Sequence, residues 1–567
     1  MQKIIQAAEM REIDRLTSEQ YATPSLLLME AAANAAARVI ASHFSHNLAR
    51  RTALILCGRG NNGGDGAALA RTLWMLGAKV DVVLFGRVED AKGDARTNFE
   101  MVRHLASFHA GTKERPSPLF FVECDTINAW EERASKGAHY DIMVDALFGT
   151  GLTRPLEGIF REVVEHIALV RQAREHAADP TPLIVSLDLP SGLDADATEP
   201  IGAAVQADVT VTFTAPKPAN VLPPAAHFNG QLVVAPVGSP PALLEATTSQ
   251  LYLAETTDAQ KWLEQTRYTP DSYKNTHGHA LIVAGSRHMT GAAVLCADAA
   301  MRSGAGLVTL ATPASASDAI AARLMPEVIT ASLSETAQGA TNLEAVEQVM
   351  KLASRADVLA VGPGLTSDDE DTRQFVRALV ERRTKCIVID ADGLNALAPW
   401  HSELRGSKEA PLILTPHAGE MRRLLGGDDE AQARRLRANR VDVAREFAVS
   451  HQLILVLKGT RTLVAAPDGR VVVVPTGNAG LGTAGSGDTL TGIITGFNAQ
   501  EFATLKTEAD AFAATLAAVF VGGLAGDMAA RERGMRSMVA SDIREHIGAA
   551  IHALDPKGEQ PHASWQT

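Results

Sequence analysis

Short apolar runs that close on glycine or an acid, each followed by a longer helical pattern, recur along almost the whole chain. Few folds accommodate that alternation. Runs that are apolar throughout, and not only at alternate positions, suit strands covered on both faces, the condition of parallel sheets flanked by helices. In the first half these runs are RTALILCG, KVDVVLFG, YDIMVDALFG, PLIVSLDLP and ADVTVTF. In the second half they are HALIVAGS, GLVTLAT, ADVLAVGPG, KCIVIDADG, PLILTPHAGE, QLILVLKGT and RVVVVPTG. Glycines and carboxylates cluster just after them, and ligands bind at that edge of open parallel sheets. The chain is expected to be α/β throughout.

At 567 residues it is too long for one ordinary core. The small, polar, proline-bearing segment SPPALLEATTSQ predicts a linker, with one domain over residues 1–240 and another over 250–555. The closing LDPKGEQPHASWQT reads as a flexible tail. A net charge of -13 disfavours nucleic acid and anionic lipid as partners. Cys57, Cys124, Cys296 and Cys386 form no CxxC pair, which predicts reduced thiols and no zinc site. MQKIIQAAEMREIDR turns charged before any run of signal-peptide length develops. The uncharged stretch 511–526 is too short to cross a bilayer and rich in Ala and Gly, which predicts a buried helix. A cytoplasmic protein without membrane contact, assembling with copies of itself, is the expectation.

The segment LILCGRGNNGGDGAALARTLWMLG is a strand, a glycine-rich turn and a helix, and such a helix start attracts anions. A bare tight turn has no need of Asn61, Asn62 and Asp65 among its glycines. VDALFGTGLTRP adds Asp145 at a strand end, and SLDLPSGLDAD adds Asp188 with Ser191 three residues on. Capping of turns and helices is the structural alternative for all three. Together, Asn62, Asp145 and Ser191 offer oxygen ligands to a monovalent cation, and Asp188 can exchange a proton with a substrate.

The runs GRGNNGGDG, VDALFGTGL, DLPSGLDAD and TFTAPKPA resemble the YjeF N-terminal family, the NAD(P)H-hydrate epimerases, over about residues 1 to 240. The resemblance implies a Rossmann-like fold. It implies substrate contacts at Asn61, Asn62, Gly63, Gly64, Asp65, Gly149, Thr150, Gly151, Leu152, Thr153, Arg154, Pro155 and Asp188. It also implies potassium at Asn62, Asp145 and Ser191. The early helix departs from the family in reading LLLMEAAANAA after Pro24, without the usual Asn and Gly soon after Glu30.

In the second half, VVVVPTGNAGLGTAGSGDTLTGIITGF predicts a strand, a glycine-rich turn and a helix starting near Asp488. Backbone N–H groups of Ala484, Gly485, Ser486 and Gly487 can line an anion hole there, with Asp488 at its mouth. Lys458 follows a buried strand, where it can meet a phosphate or remain a solvated turn lysine. His417 and Glu420 stand at a strand-to-helix junction; Glu420 suits a helix start, whereas His417 is given no capping role. Asp390, Asp392 and Asn395 stand close enough in sequence to hold a divalent metal or an ordered water.

GHALIVAGS, MTGAAVLCADAAMRSGAGLVTLATP, LMPEV, VGPGL, DADGLNAL, LTPHAGE, LKGT and the glycine loop resemble the ribokinase-like YjeF C-terminal family, the ADP/ATP-dependent NAD(P)H-hydrate dehydratases, over about residues 250 to 555. The resemblance implies substrate contacts at Ala292, Gly364, His417 and Asp488. It implies nucleotide contacts at Lys458, Gly459, Thr460, Arg461, Thr462 and Gly487. Ala418 replaces a usual proline, and Ala479 and Gly482 are expected to loosen the glycine loop. The implied substrates are NADH or NADPH hydrated at ring carbon 6, with ADP or ATP as co-substrate and Mg²⁺ on its phosphates. Asp188 and Asp488 are the expected catalytic groups. A ribokinase-like small-molecule kinase fused to a non-catalytic binding module is the rival reading.

Overall fold

The computed structural model describes residues 1–108, 118–135, 139–173, 182–427 and 430–555. The expected tail lies almost wholly outside them. The chain forms two compact units, one of residues Lys3–Ser249 and one of Gln250 onward together with Met1–Gln2.

In the N-terminal unit seven parallel strands run side by side in the order Leu119–Glu123, Lys79–Leu84, Thr52–Cys57, Ile142–Ala146, Leu183–Leu187, Val209–Phe213 and Gln231–Ala235. The central strands are buried almost throughout, as strands between two helical layers must be. The register sets Asp145 directly across from Ser186. Helices Ser25–His43 and Asn61–Met75 close one face with an alanine-rich core. Glu30 joins these two helices by an ion pair to Arg71, so the departure of the early helix from the family pattern is accommodated structurally.

In the C-terminal unit the parallel strands run Ile329–Leu333, Leu307–Pro313, His279–Val283, Val358–Val361, Cys386–Ile389, Leu412–Leu414 and Ile454–Leu457. Leu463–Ala465 and Val471–Val473 continue the sheet antiparallel, and Leu251–Leu253 joins beyond them in parallel. Helix Ser486–Leu505 lies close against Thr290–Arg302. A Cβ on Gly492 would come 2.1 Å from the Cys296 carbonyl oxygen, and one on Gly496 would come 2.2 Å from Ser303 Oγ. Ala511–Arg533 is long and apolar enough to cross a membrane, but 78% of its most apolar window is buried inside the protein. That burial agrees with the expected core helix.

Two expectations change. The segment read as a linker is tied down and belongs to the N-terminal unit. It carries the helix Pro241–Glu245, Lys3 Nζ donates to the Thr247 carbonyl at 2.7 Å, and Ser249 Oγ donates to the Ile4 carbonyl at 2.7 Å. The glycine loop ahead of helix Ser486–Leu505, which starts near Asp488 as expected, is not loose. The loop itself is anchored at Asn478, whose Nδ2 donates to Asp527 Oδ1 at 2.9 Å and whose Oδ1 accepts from Gly480 N–H at 2.9 Å.

Candidate active sites

In the N-terminal unit, strand Leu183–Leu187 ends in a tight three-residue turn. Leu189 N–H donates to the Leu187 carbonyl at 2.8 Å, which forces Asp188 to φ 64°. A non-glycine residue there carries strain of order ~1–3 kcal/mol, and such strain gathers at functional sites. Thr214 repeats the turn after the next strand, at φ 66°. Asp188 Oδ1 accepts from Lys217 Nζ at 2.5 Å and from Thr212 Oγ1 at 3.1 Å. The Lys217 side chain is 1% exposed, and its ammonium also donates to Thr212 Oγ1 at 2.9 Å and to the Phe213 carbonyl at 3.1 Å. All three ammonium protons are therefore engaged, one of them by Asp188.

The other Asp188 oxygen faces Gly149, where an added Cβ would lie 3.0 Å from Oδ2 and 3.5 Å from Asn62 Cγ. The missing side chain of Gly149 thus keeps open the space where Asp188 and Asn62 meet. Asn62 is 8% exposed, and neither of its amide atoms has a partner. Asp145 is fully buried. Its carboxylate accepts from Ser186 Oγ at 2.8 Å, Ser191 N–H at 2.8 Å, Ser191 Oγ at 2.5 Å and Leu147 N–H at 3.3 Å. Burial pushes its pKa up, and the hydrogen bonds from Ser191 and Ser186 pull the other way. None of the described residues pairs a cation with it.

Asp65 titrates far above the usual carboxylate range, through burial and then the charges of Asp188 and Asp14. Asp14, on helix Ala7–Glu19, is pushed up to about 6 by loss of hydration; Lys217 opposes the shift and Asp188 adds to it. The side chains of other expected contacts turn elsewhere. Leu152 lies in an apolar cluster with Leu156 and Val205. Gly63 and Gly64 serve close packing, a Cβ there meeting the Gly58 carbonyl at 1.8 Å or Ala95 at 2.7 Å. Only backbone contact with a substrate remains open to these three. Asn61, Gly151, Thr153, Arg154 and Pro155 are exposed, and Thr150 is partly so.

In the C-terminal unit Asp488 stands in the first turn of Ser486–Leu505. The leading N–H groups of a helix lack intrahelical partners. Of the four expected donors, Ser486 N–H is partly engaged, with the Thr483 carbonyl at 3.4 Å. Burial, then Asp390, pushes Asp488 up to about 6 while Lys458 pulls it back. A Cβ on Gly487 would lie 3.3 Å from Lys458 Nζ, so the lysine does face the glycine loop. It is not a free turn lysine, however: Nζ donates to Asp390 Oδ1 at 2.7 Å and lies 3.9 Å from Glu420 Oε2. Thr491 Oγ1 fixes the other Asp390 oxygen at 2.7 Å.

His417 does cap its helix, against expectation. Its Nδ1 accepts from Gly419 N–H at 3.0 Å and Glu420 N–H at 3.2 Å, while Glu420 Oε2 accepts from His417 N–H at 2.8 Å. The ring takes the place of the usual short N-cap side chain and still reaches solvent. The suggested metal trio is also otherwise engaged. Asp390 binds Lys458, Asp392 accepts from Thr366 N–H at 3.0 Å, and Asn395 Oδ1 accepts from Arg423 Nε at 2.9 Å. Ala292 and Gly364 adjoin, a Cβ on Gly364 meeting that of Ala292 at 3.0 Å. Gly459, Thr460, Arg461 and Thr462 form the turn of an antiparallel hairpin. Arg440 Nη1 donates to the Thr460 carbonyl at 2.7 Å, and Arg461 donates to that of Pro475.

Residues 25–219 match the family described as YjeF-related protein N-terminus, and residues 280–548 match NAD(P)H-hydrate dehydratase. A bifunctional NAD(P)H-hydrate repair enzyme of Moorella thermoacetica is 40% identical over 98% of both chains. The chain belongs to the bifunctional NAD(P)H-hydrate repair enzymes. One from Thermofilum pendens is 37% identical over 97% of each chain. A Bacillus subtilis ADP/ATP-dependent NAD(P)H-hydrate dehydratase, co-crystallized with ATP/Mg²⁺, is 28% identical, covering 53% of this chain and 98% of that one with a TM-score of 0.45.

In this repair enzyme, sequence reasoning passed over Asp14, Lys217, Thr491 and the pairing of Asp390 with Lys458. Lys217 had a signal: a lysine in APKPA, directly after a run of strand residues, sits where burial is expected and a buried ammonium needs a carboxylate. Asp14 had none, because Asp188 and Lys217, the charges that act on it, are far away in the chain.

Proposed function

We propose that the N-terminal unit interconverts the R and S forms of hydrated NADH and NADPH. The C-terminal unit then dehydrates the S form back to NADH or NADPH at the expense of ADP or ATP. The observation that carries this reading is the pair of carboxylates, Asp188 and Asp488, the first held in a buried ion pair with Lys217 and the second beside the buried Lys458–Asp390 pair. In the dehydratase site Asp488 takes the proton of the C6 hydroxyl as that oxygen receives the phosphoryl group. N–H groups of the helix start balance the charge in transit. The C6–O bond then breaks as phosphate leaves, C5 gives up a proton to water or the departing phosphate, and the C5=C6 double bond is restored. In the epimerase site Asp188 exchanges a proton with the hydroxylated ring.

Asn62, Asp145 and Ser191 suit potassium. The buried amide oxygen of Asn62 has no partner, none of the described residues pairs a cation with the buried carboxylate of Asp145, and oxygen-only donors favour a hard ion of low charge. When bound, the ion supplies the missing positive charge and ties the three loops together. Magnesium takes most of its ligands from phosphate and water and asks here only for an acidic opening, which Asp488 and Asp392 provide; when bound it neutralises phosphate charge. The same reading makes the chain a cytoplasmic homo-oligomer. Its four free, buried cysteines suit a reducing compartment, and light scattering tests the assembly.

The decisive experiment supplies mixed hydrate epimers with ADP or ATP and follows reduced-nucleotide absorbance. Both epimers are expected to be consumed, with one phosphate released per ring restored. Phosphorylation of the hydrate without ring recovery would favour a simple kinase.

A further inference from the structure

If the N-terminal unit is an epimerase, Asp188 alone cannot complete its chemistry. Carbon 6 of the hydrate carries a hydroxyl and is bonded to ring nitrogen N1. To invert it, the hydroxyl proton leaves to a base and a C6=O bond forms. The N1–C6 electron pair withdraws onto N1, spreads into the adjoining double bond and carboxamide, and N1 takes a proton. Rotation about C5–C6 and the reverse steps on the other face close the ring as the second epimer. Atoms and electrons balance without an oxidant. Two protons move in opposite senses at two atoms in each half, so two groups are needed.

Helix Ala7–Glu19 brings a second carboxyl to the strand ends. Ala7 shares an apolar cluster with Leu189, the residue after Asp188, and Met10 and Ile13 share another with Ala215. Ile5 N–H donates to the Pro216 carbonyl at 2.9 Å, beside Lys217, and Ala7 N–H donates to Asp196 Oδ1 at 2.8 Å. The helix is therefore pinned at two places over the turns that carry Asp188 and Lys217. Asp14, next to Ile13, accepts no hydrogen bond from the described residues, reaches solvent, and feels the charges of both Lys217 and Asp188. Across Gly149 from Asp188 Oδ2 lies Asn62, buried and with both amide atoms unpartnered, as expected of a group that waits for a ligand.

We propose that Asp14 is the second proton-transfer group of the epimerase site, delivering to ring nitrogen N1 the proton that complements removal of the hydroxyl proton at Asp188. The charged groups that act on it from the sheet edge are Lys217 and Asp188 and Asp65. On its own helix stand Arg11, Glu12 and Arg15, with Arg15 held by Glu12 and Glu19. Its titration at about 6 suits proton exchange near neutrality. Burial and the charges of Asp188 and Asp14 raise Asp65 as well.

The test uses the full chain without ADP or ATP, so that dehydration is silent, and follows exchange of one purified epimer into the other by NMR. Wild-type kcat/KM is expected to fall as pH rises through about 6, because the donor must hold its proton. Asp14→Asn is expected to lower kcat ~100-fold, with KM little changed and the pH limb gone. Asp14→Glu is expected to restore part of the rate together with a displaced limb. Asp14→Asn exchanging at the wild-type rate with the limb intact overturns the role of Asp14 while leaving the epimerase reading standing. An Asp14→Glu profile superimposable on wild type also overturns it, should the amide variant fail to fold. A wild-type chain that exchanges no epimers overturns the epimerase reading and this role together.

Discussion

Asp488→Asn separates what the carboxylate does for the reaction from what it does to the fold. Burial first, and then Asp390, Asp392 and Glu420 against the pull of Lys458, raise this group to about 6, from roughly 3.9 in an unfolded chain. A carboxyl that holds its proton more tightly when folded stabilises the fold fully below about pH 4. That contribution is lost as pH rises to about 6. At neutral pH the ionised side chain is therefore a cost to folding of at most about 3 kcal/mol. The amide keeps the shape and removes the charge, so the unfolding midpoint at pH 7 should equal or exceed that of wild type. Turnover should drop ~100- to 10,000-fold, or about 2.7–5.5 kcal/mol on the barrier, with ADP and ATP still bound. The wild-type rate should fall as pH drops below about 6, since the base must be ionised, and that limb should vanish in the variant. Stopped assays of S-hydrate consumption, calorimetry with nucleotide and thermal melts read these effects. Near-normal turnover would refute the base assignment, and a destabilised inactive variant would mark Asp488 as structural.

Lys217→Met strands the Asp188 carboxylate without its cation and should abolish epimer exchange while destabilising the N-terminal unit by about 3–5 kcal/mol; a melt and a rate like those of wild type would count against the positioning role. Asp145→Ala should impair epimerisation and its dependence on potassium and leave dehydration nearly unchanged, since distant sites behave independently; equal loss of both activities would point to misfolding. A fragment beginning at Gln250 should dehydrate one epimer and stall on the other, whereas one beginning at Thr256, lacking the strand Leu251–Leu253 that pairs with Val471–Val473, should melt lower; equal melting would remove that strand from the core.

The strands at the centre of each sheet were legible because burial on both faces leaves an uninterrupted apolar run, as in LILC or VLAV. Edges were not. Ile329–Leu333 is mostly exposed, and Leu119–Glu123 leaves Phe120 45% exposed, so neither carries the pattern of a covered strand. The two carboxylates expected to be catalytic were legible as candidates because Asp188 follows its strand directly and Asp488 stands at a glycine-rich helix start. Their partners were not, because Lys217 reaches Asp188 across 29 residues and Lys458 reaches Asp390 across 68. His417 was misjudged for another reason: the usual capping side chains are short, and here an imidazole nitrogen accepts the same two N–H bonds.

The two sites place a lysine–aspartate pair differently with respect to the reactive carboxylate, and the difference suits their chemistries. In the N-terminal unit the reactive Asp188 is itself the paired group. Lys217 holds one oxygen in a strained turn and leaves the other facing Gly149 and Asn62, so the carboxylate is held in one orientation in a confined space. In the C-terminal unit the pair is Lys458 with Asp390, behind the reactive group, and the pair's negative member repels Asp488 and raises its proton affinity. A base that must take a proton from an alcohol during phosphoryl transfer gains from that higher affinity. A group in an isomerase must give its proton back at each turnover and gains more from a fixed position than from strength. Exchanging the two arrangements is therefore expected to fail in both directions: a cation placed directly on Asp488 would weaken the base, and releasing Asp188 from Lys217 would lose the geometry.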